Sequence, residues 1–494
     1  MCESCQGGIP RRTFLAASGT AGTAAAFGGL IAAGESREAS AVLPPREKQP
    51  ARVAVVFLYP PAEVVLAGQN EDSWRVHQWF TWPGNQFQPE RQEERFGAKI
   101  REIADRLGVV AEFAPKALYQ EAAVAQYIEA VKASAPDAVL VVNFWNTFAA
   151  WSHRIAVEAA PAAIVYQPVG SNHQLPAEAL RNTPGLFYIH AIENWAEIER
   201  GLRAVRAKKM LAQSRLLRVS GRAEEMTQTV ESDLGTDVVT VPAQVFNDIF
   251  DAVPADEALV GEAMQWKNTA AEVRDVSDEY CVEAFRSHRA VREIMARYGA
   301  DAVTIECLFL KHRKPCVSFA LNNGDLIPCG CENQLDGTLT QMLGRWLWDR
   351  AGFMHNPEFD TSENRYFGAH CTCAVKLHGP EGPARPFLIR PFFHQMPKTA
   401  ALDVQWPENE PVILAKYYSG KKRLCCWTGR ALGSPTCPPV GGCATRVLVE
   451  IDRVQDVCEI YPGPHPILFC GTPGDARTLK AFARMYQLEL LGNV

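Results

Sequence analysis

The chain has 494 residues, 47% of them apolar and 21% charged, with a formal net charge of -6. That length exceeds what one core supports and predicts two or three domains. The charge provides no broad basic field, which argues against nucleic acid as a partner.

Arg11-Arg12-Thr13-Phe14-Leu15 places a pair of arginines ahead of a weakly apolar, Ala- and Gly-rich stretch from Phe14 to Ala33. A membrane span needs roughly 20 strongly apolar residues, and Ser18, Thr20 and Thr23 interrupt this run. The pattern predicts a twin-arginine signal peptide over 1–41, with Ala39-Ser40-Ala41 as the small-x-small cleavage motif. The mature protein is expected in the periplasm or another exported compartment, without membrane contact after cleavage. That route carries folded proteins, so a metal or cofactor acquired before export is expected.

A linker over 42–51 leads to a first α/β domain over 52–192. Arg52 to Tyr59, Ala138 to Asn143, Ala162 to Tyr166 and Leu186 to His190 are short apolar runs that suit strands buried on both faces. Helical patterns at Glu90 to Leu107, Gln120 to Ala133 and Phe148 to Ala159 separate them, and this alternation predicts a parallel sheet. A second α/β domain over 193–375 begins with a helix from Trp195 to Ala212 and a strand from Arg215 to Val219. The turn Ser220-Gly221 lacks a G-x-G-x-x-G pattern, so no nucleotide site is supported. Helices at Asp256 to Thr269 and Ser277 to Tyr298, the strand Ala302 to Glu306 and a helix at Gly337 to Asp349 follow. Over 376–494 the texture changes to short apolar runs separated by Pro and Gly: Pro386 to Ile389, Pro411 to Tyr418, Arg446 to Ile451 and Pro466 to Cys470. That texture predicts a β-rich, barrel-like domain, closed by a helix from Asp475 to Tyr486.

Of 15 cysteines, Cys2 and Cys5 leave with the signal and the other 13 lie between Cys281 and Cys470. An oxidising compartment permits disulfides, and an odd number leaves one thiol unpaired within the chain. Cys329-x-Cys331 and Cys371-x-Cys373 lack the two-residue spacing of common structural zinc sites. Buried thiols and some disulfides are expected rather than zinc. No Cys-x-x-Cys remains after signal cleavage, which ranks thiol-disulfide catalysis last.

The densest polar cluster lies between Glu306 and His370, beside strand ends and glycines where α/β proteins place their sites. Glu306 follows an apolar strand. Glu332 precedes a helix in Cys331-Glu332-Asn333-Gln334-Leu335-Asp336-Gly337. His355, Asn356, Asp360 and His370 follow, and His465 stands later in Pro464-His465-Pro466. An exposed basic loop is expected at Lys311-His312-Arg313-Lys314, and Arg385, Arg390 and His394 form another polar stretch. Trp74, Trp79 and Trp82 are expected in core packing, with stacking on a sugar as the other possibility.

The stretch Cys331-Glu332-Asn333-Gln334-Leu335-Asp336-Gly337-Thr338-Leu339-Thr340 resembles a segment of the fucose isomerase and arabinose isomerase superfamily, metal-dependent aldose-ketose isomerases. Tyr366-Phe367-Gly368-Ala369-His370 and Pro464-His465-Pro466-Ile467-Leu468-Phe469 resemble two further segments of that family. At motif level the resemblance covers roughly residues 300–494. It implies Glu332 and His465 as metal ligands, Glu306 and Glu332 as the acid/base pair, and a third ligand from His355, Asn356 or His370. The family's Asp after the intervening helix is replaced here by Phe353-Met354-His355-Asn356.

The implied chemistry is proton transfer between C1 and C2 of a sugar through an enediol, assisted by a divalent cation, with Mn2+ the best match. A monosaccharide or related polyhydroxy compound is the implied substrate and a homo-oligomer the implied assembly. Export fits sugar isomerases poorly, which keeps open lyase or epimerase chemistry on the same scaffold, or a non-catalytic sugar-binding protein.

Overall fold

The structure is a computed structural model that describes residues 42–66, 88–169, 176–392, 396–436 and 442–494. The expected signal peptide, Trp74, Trp79, Trp82 and His394 lie outside the described residues. No helix among the described residues is long and apolar enough to cross a membrane.

Five short runs build the first sheet: Ala51–Leu58, Val109–Phe113, Ala138–Asn143, Ala163–Pro168 and Leu186–Ala191. All pairings are parallel, with the second run at the edge beside the first. Every residue of Ala138–Asn143 is buried, as a central strand covered on both faces requires. The helix Pro89–Leu107 turns Phe96, Ile100, Ile103 and Leu107 inward and stops at Gly108, whose left-handed φ of 64° lets its amide reach the carbonyl oxygens of Ala104 and Asp105. Val109–Phe113 follows at once. It is a half-exposed edge strand whose pattern is too weak to stand out in the sequence.

The second sheet runs Cys329–Cys331, Ala302–Ile305, Arg215–Ser220, Asp237–Pro242, Thr227–Val230, parallel except for the last strand. The helix Trp195–Ala212 opens this region, with the Asn194 side chain accepting from the Ala196 amide as its cap. Asp278–Arg297, Cys316–Gly324 and Leu335–Trp348 pack around the sheet.

The third sheet is built almost entirely from antiparallel pairs. Gly352–Met354 pairs with Ile467–Cys470 at one end, and Asn356–Asp360 pairs with Arg365–His370 at the other. Only His355 separates the two segments, so a single bent strand belongs to both ends and the sheet closes on itself. Between the ends lie Glu408–Tyr418, Arg423–Leu432 and Thr445–Ile451, and Glu489–Gly492 adds in parallel to Arg423–Leu432. The sheet thus recruits chain from residue 352, ahead of the change of texture at 376. Its closing strand carries Asn, Pro, Glu and Asp between apolar residues and does not read as a strand locally. The helix Pro473–Met485 then packs back on Trp195–Ala212, where Arg200 Nε donates to the Gly474 carbonyl oxygen at 3.1 Å.

Candidate metal centre

Glu332 leaves the carboxyl end of Cys329–Cys331, at the edge of the second sheet where unpaired strand ends face outward. Its φ is 55° and that of Asn333 is 56°. Left-handed backbone costs a non-glycine residue about 1 kcal/mol or more, so two in succession mark a turn held by its surroundings. Arg218 Nε supplies part of that hold, donating to the Asn333 side-chain oxygen at 3.0 Å.

His370 is the last residue of Arg365–His370, paired with Thr445. Its Nδ1 lies 3.4 Å from Thr372 Oγ1, which leaves Nε2 turned inward. His465 sits in the turn 462–466 and has a left-handed φ of 54°. The strand Glu408–Tyr418 holds that turn from beside it: Lys416 Nζ donates to the Pro464 carbonyl oxygen, and Tyr418 Oη donates to that of Pro462 at 2.6 Å.

These three side chains meet. His370 Nε2 lies 3.8 Å from Glu332 Oε1, His465 Nε2 lies 3.3 Å from Oε2, and the two imidazoles stand edge to face with centroids 5.7 Å apart. One donor atom from each residue falls within 4.8 Å of the others. Neither imidazole makes an aligned hydrogen bond to the carboxylate: His370 Nε2 and both ring nitrogens of His465 are buried without a partner. An unsatisfied buried polar atom costs about 1–3 kcal/mol, and a cation between the three would satisfy one nitrogen of each imidazole, the Nε2 atoms that approach Glu332. The group can therefore hold a metal ion.

The electrostatics agree with that arrangement. His370 and then His465 hold the Glu332 carboxyl well below the usual carboxylate range, against the effect of burial. Burial lowers both imidazoles, but Glu332 lifts His370 above its ordinary value, whereas His370 and Lys416 help keep His465 below its own. A neutral His465 presents a lone pair, the form a ligand needs. Both histidines are buried while the Glu332 side chain is 30% exposed, so Glu332 connects the group to solvent. Catalytic metal sites keep an open position.

No protein-family model matches this chain, and no curated protein does. The likeness to sugar isomerases therefore rests on the residues themselves.

The other expected site residues are placed differently. His355 is fully buried at the corner of the closing strand, with Nε2 2.5 Å from Tyr366 Oη and Nδ1 3.0 Å from the Phe353 carbonyl oxygen. Burial pushes its pKa down to about 3. With both nitrogens engaged it stands outside the group, and Gly368 gives it room: a Cβ there would lie 2.5 Å from its ring. Asn356 pairs with Ala369, next to His370. Asp360 accepts from Ser362 in an exposed turn. Glu306 ends the strand Ala302–Ile305, adjacent to the strand that carries Glu332. Its Oε2 accepts from Ser220 Oγ at 3.0 Å and the Gly221 amide at 2.9 Å, and Arg222 lies 3.6 Å from Oε1.

The loop 311–314 is not exposed throughout. Arg313 pairs with Asp251, and Lys314 is buried and donates to the Cys307 carbonyl oxygen at 2.5 Å. Arg385 pairs with Glu410, and Arg390 with Asp403 at 3.0 Å. A second group, His378, Glu410 and Cys470, also has metal-ligand spacing. Arg385 donates to both Glu410 and Cys470, however, so a guanidinium already supplies the positive charge there.

The expected disulfides are not found among the described residues: all twelve described cysteines are free, and ten are buried. Most of the buried ones pack as small apolar residues in the core. Lys416 and Tyr418, which hold the His465 turn, were not singled out in the sequence. The signal was there: Lys416 is a lone charge inside the apolar run Val412 to Tyr417, and a lysine in a buried strand needs a partner.

Proposed function

We propose that Glu332, His370 and His465 bind a divalent cation and that the protein isomerises a monosaccharide or related polyhydroxy carbonyl compound between its aldose and ketose forms. The observation that carries this reading is the convergence of one partly exposed carboxylate and two buried imidazoles whose Nε2 atoms have no hydrogen-bond partner. Carboxylate and imidazole donors suit Mn2+, and neighbouring divalent ions compete because such sites discriminate weakly. The bound cation would supply stabilisation of the negative charge that develops on adjacent substrate oxygens.

Glu332 directs one oxygen to each imidazole, which favours the ligand role for it. Glu306, on the adjacent strand end and oriented by Ser220 and Gly221, is the residue assigned to move the proton between neighbouring carbons. Export by the twin-arginine route and assembly into a homo-oligomer complete the reading, on the sequence patterns described above.

Elemental analysis of the purified protein beside a Glu332→Ala, His465→Ala double variant tests it first. About one divalent ion per chain is expected in the parent and none in the variant. A panel of aldoses and ketoses is then offered to the Mn2+-loaded parent and to Glu306→Gln, with turnover expected only in the parent. Metal in neither protein ends the reading. Metal without conversion of any sugar moves the assignment to a lyase, an epimerase or a sugar-binding role.

A further inference from the structure

Two thiols stand directly behind the candidate metal centre. Cys307 follows Glu306, Cys331 precedes Glu332, and their Sγ atoms are 3.1 Å apart. Both are about 1% exposed. Their backbones are already tied, because Ile305 and Cys331 are register partners and the Asn333 amide donates to the Ile305 carbonyl oxygen at 3.2 Å. A disulfide needs its sulfurs at about 2.05 Å, so closing this pair asks for a movement of about 1 Å. The buried ammonium of Lys314, donating to the Cys307 carbonyl oxygen, places a positive charge beside the pair. Glu332, the next residue after Cys331, is 30% exposed, so the buried pair lies one residue from solvent-exposed chain.

We propose that Cys307 and Cys331 are a peroxide-sensitive dithiol that closes to a disulfide between the two strand ends carrying Glu306 and Glu332. One sulfur attacks a peroxide oxygen, the O–O bond breaks, and a sulfenic acid forms as the first water leaves. The second sulfur attacks the sulfenic sulfur, the S–S bond forms, and the second water leaves. Two thiols lose two electrons and two protons, and one hydrogen peroxide becomes two waters. The cross-link pulls on Cys331 and through it on the left-handed turn at Glu332. Ligands need to stay within about 0.5 Å of their working positions, so oxidation weakens cation binding. This consequence rests on the metal reading; the cross-link does not.

The full chain, reduced and then treated with one equivalent of hydrogen peroxide, is alkylated, digested without reductant and mapped by mass spectrometry. A peptide pair joined through Cys307 and Cys331, lighter by two hydrogens than the two thiol peptides, is the expected result. Cys307 and Cys331 both alkylated, or a link only between other cysteines such as the neighbouring Cys371 and Cys443, overturns the proposal. Mn2+ titration of the reduced and oxidised protein is expected to show affinity lower by about tenfold or more after oxidation, with Cys331→Ser insensitive to peroxide. Equal affinity in the two forms overturns the regulatory part. Reduced protein that binds no Mn2+ ends the metal reading and leaves the peptide map to decide the cross-link, and the map needs no variant to fold.

Discussion

Among the described residues, the carboxyl edges of the two parallel sheets share a geometry and differ in the side chains they carry. At the first sheet the strand ends run into aromatic packing: Phe57 and Tyr59 lie 5.7 and 5.8 Å from Phe144, and Phe96 meets the same ring edge-on at 5.3 Å. At the second sheet the strand ends carry carboxylates and thiols, and a third element brings two imidazoles over them. Glu332 and Asn333 at that edge, and His465 opposite, all have left-handed backbone. The described part of the first edge gains stability from burial of aromatic rings, although Asn143 Nδ2 is buried there without a partner. The second combines left-handed backbone at Glu332 and Asn333 with unpaired imidazole nitrogens, which is where function is expected.

The strongest way to break this contrast is a cavity in the first sheet. Leu140 is fully buried in its central strand. Leu140→Ala is expected to cost about 3 kcal/mol, read as a lower urea midpoint, with metal stoichiometry unchanged. Loss of metal in that variant would mean that the two edges are not independent.

A second effect of similar size separates the regions by pH. His288 Nδ1 lies 3.1 Å from Ser318 Oγ, between two helices that flank the second sheet, and burial pushes its pKa down to about 4. The unfolded chain takes up this proton first, so the stabilisation is present above about pH 6.5 and is lost as pH falls from there toward 4. The loss amounts to at most about 3 kcal/mol. Urea midpoints of the parent across that range, compared with a His288→Gln variant, measure it; equal slopes would remove His288 as the cause.

The smallest and most diagnostic effect has the opposite sign. Glu332→Gly removes a ligand and also relieves left-handed backbone, so the metal-free variant is expected to be more stable than metal-free Glu332→Ala by about 1 kcal/mol. Glu332→Ala loses the ligand without that relief. If Glu332→Gly is the less stable protein, the turn is not strained and the contrast between the edges weakens.

Much of this architecture was legible in the sequence where periodicity is local. The helix Trp195–Ala212 and the strand Ala138–Asn143 occupy their expected spans, because an apolar stripe or run declares itself within a few residues. Arg423–Leu432 was missed: charge at its ends and Cys, Trp, Thr and Gly within it dilute the alternation. The closing strand was missed because its pairing partners are distant in the chain. Glu332 and His465 were legible as candidates through their turns, and the structure sets His370 beside them. His355 follows an apolar run just as a ligand would, and nothing nearby in the chain announces that Tyr366 takes its free nitrogen. His355 and His370 differ only in what the folded barrel places opposite them.

The bent strand that closes the barrel also sets a timetable for synthesis. Its first half has no partner until Ile467–Cys470 exists, and His465 stands two residues before that strand. Domains form in order as a chain emerges, so both parallel sheets can be complete while the metal-binding group still lacks its last member. A chain terminated before residue 465 would carry the strands of both parallel sheets and an incomplete metal site. Completion of the cation site therefore reports that synthesis has passed residue 465.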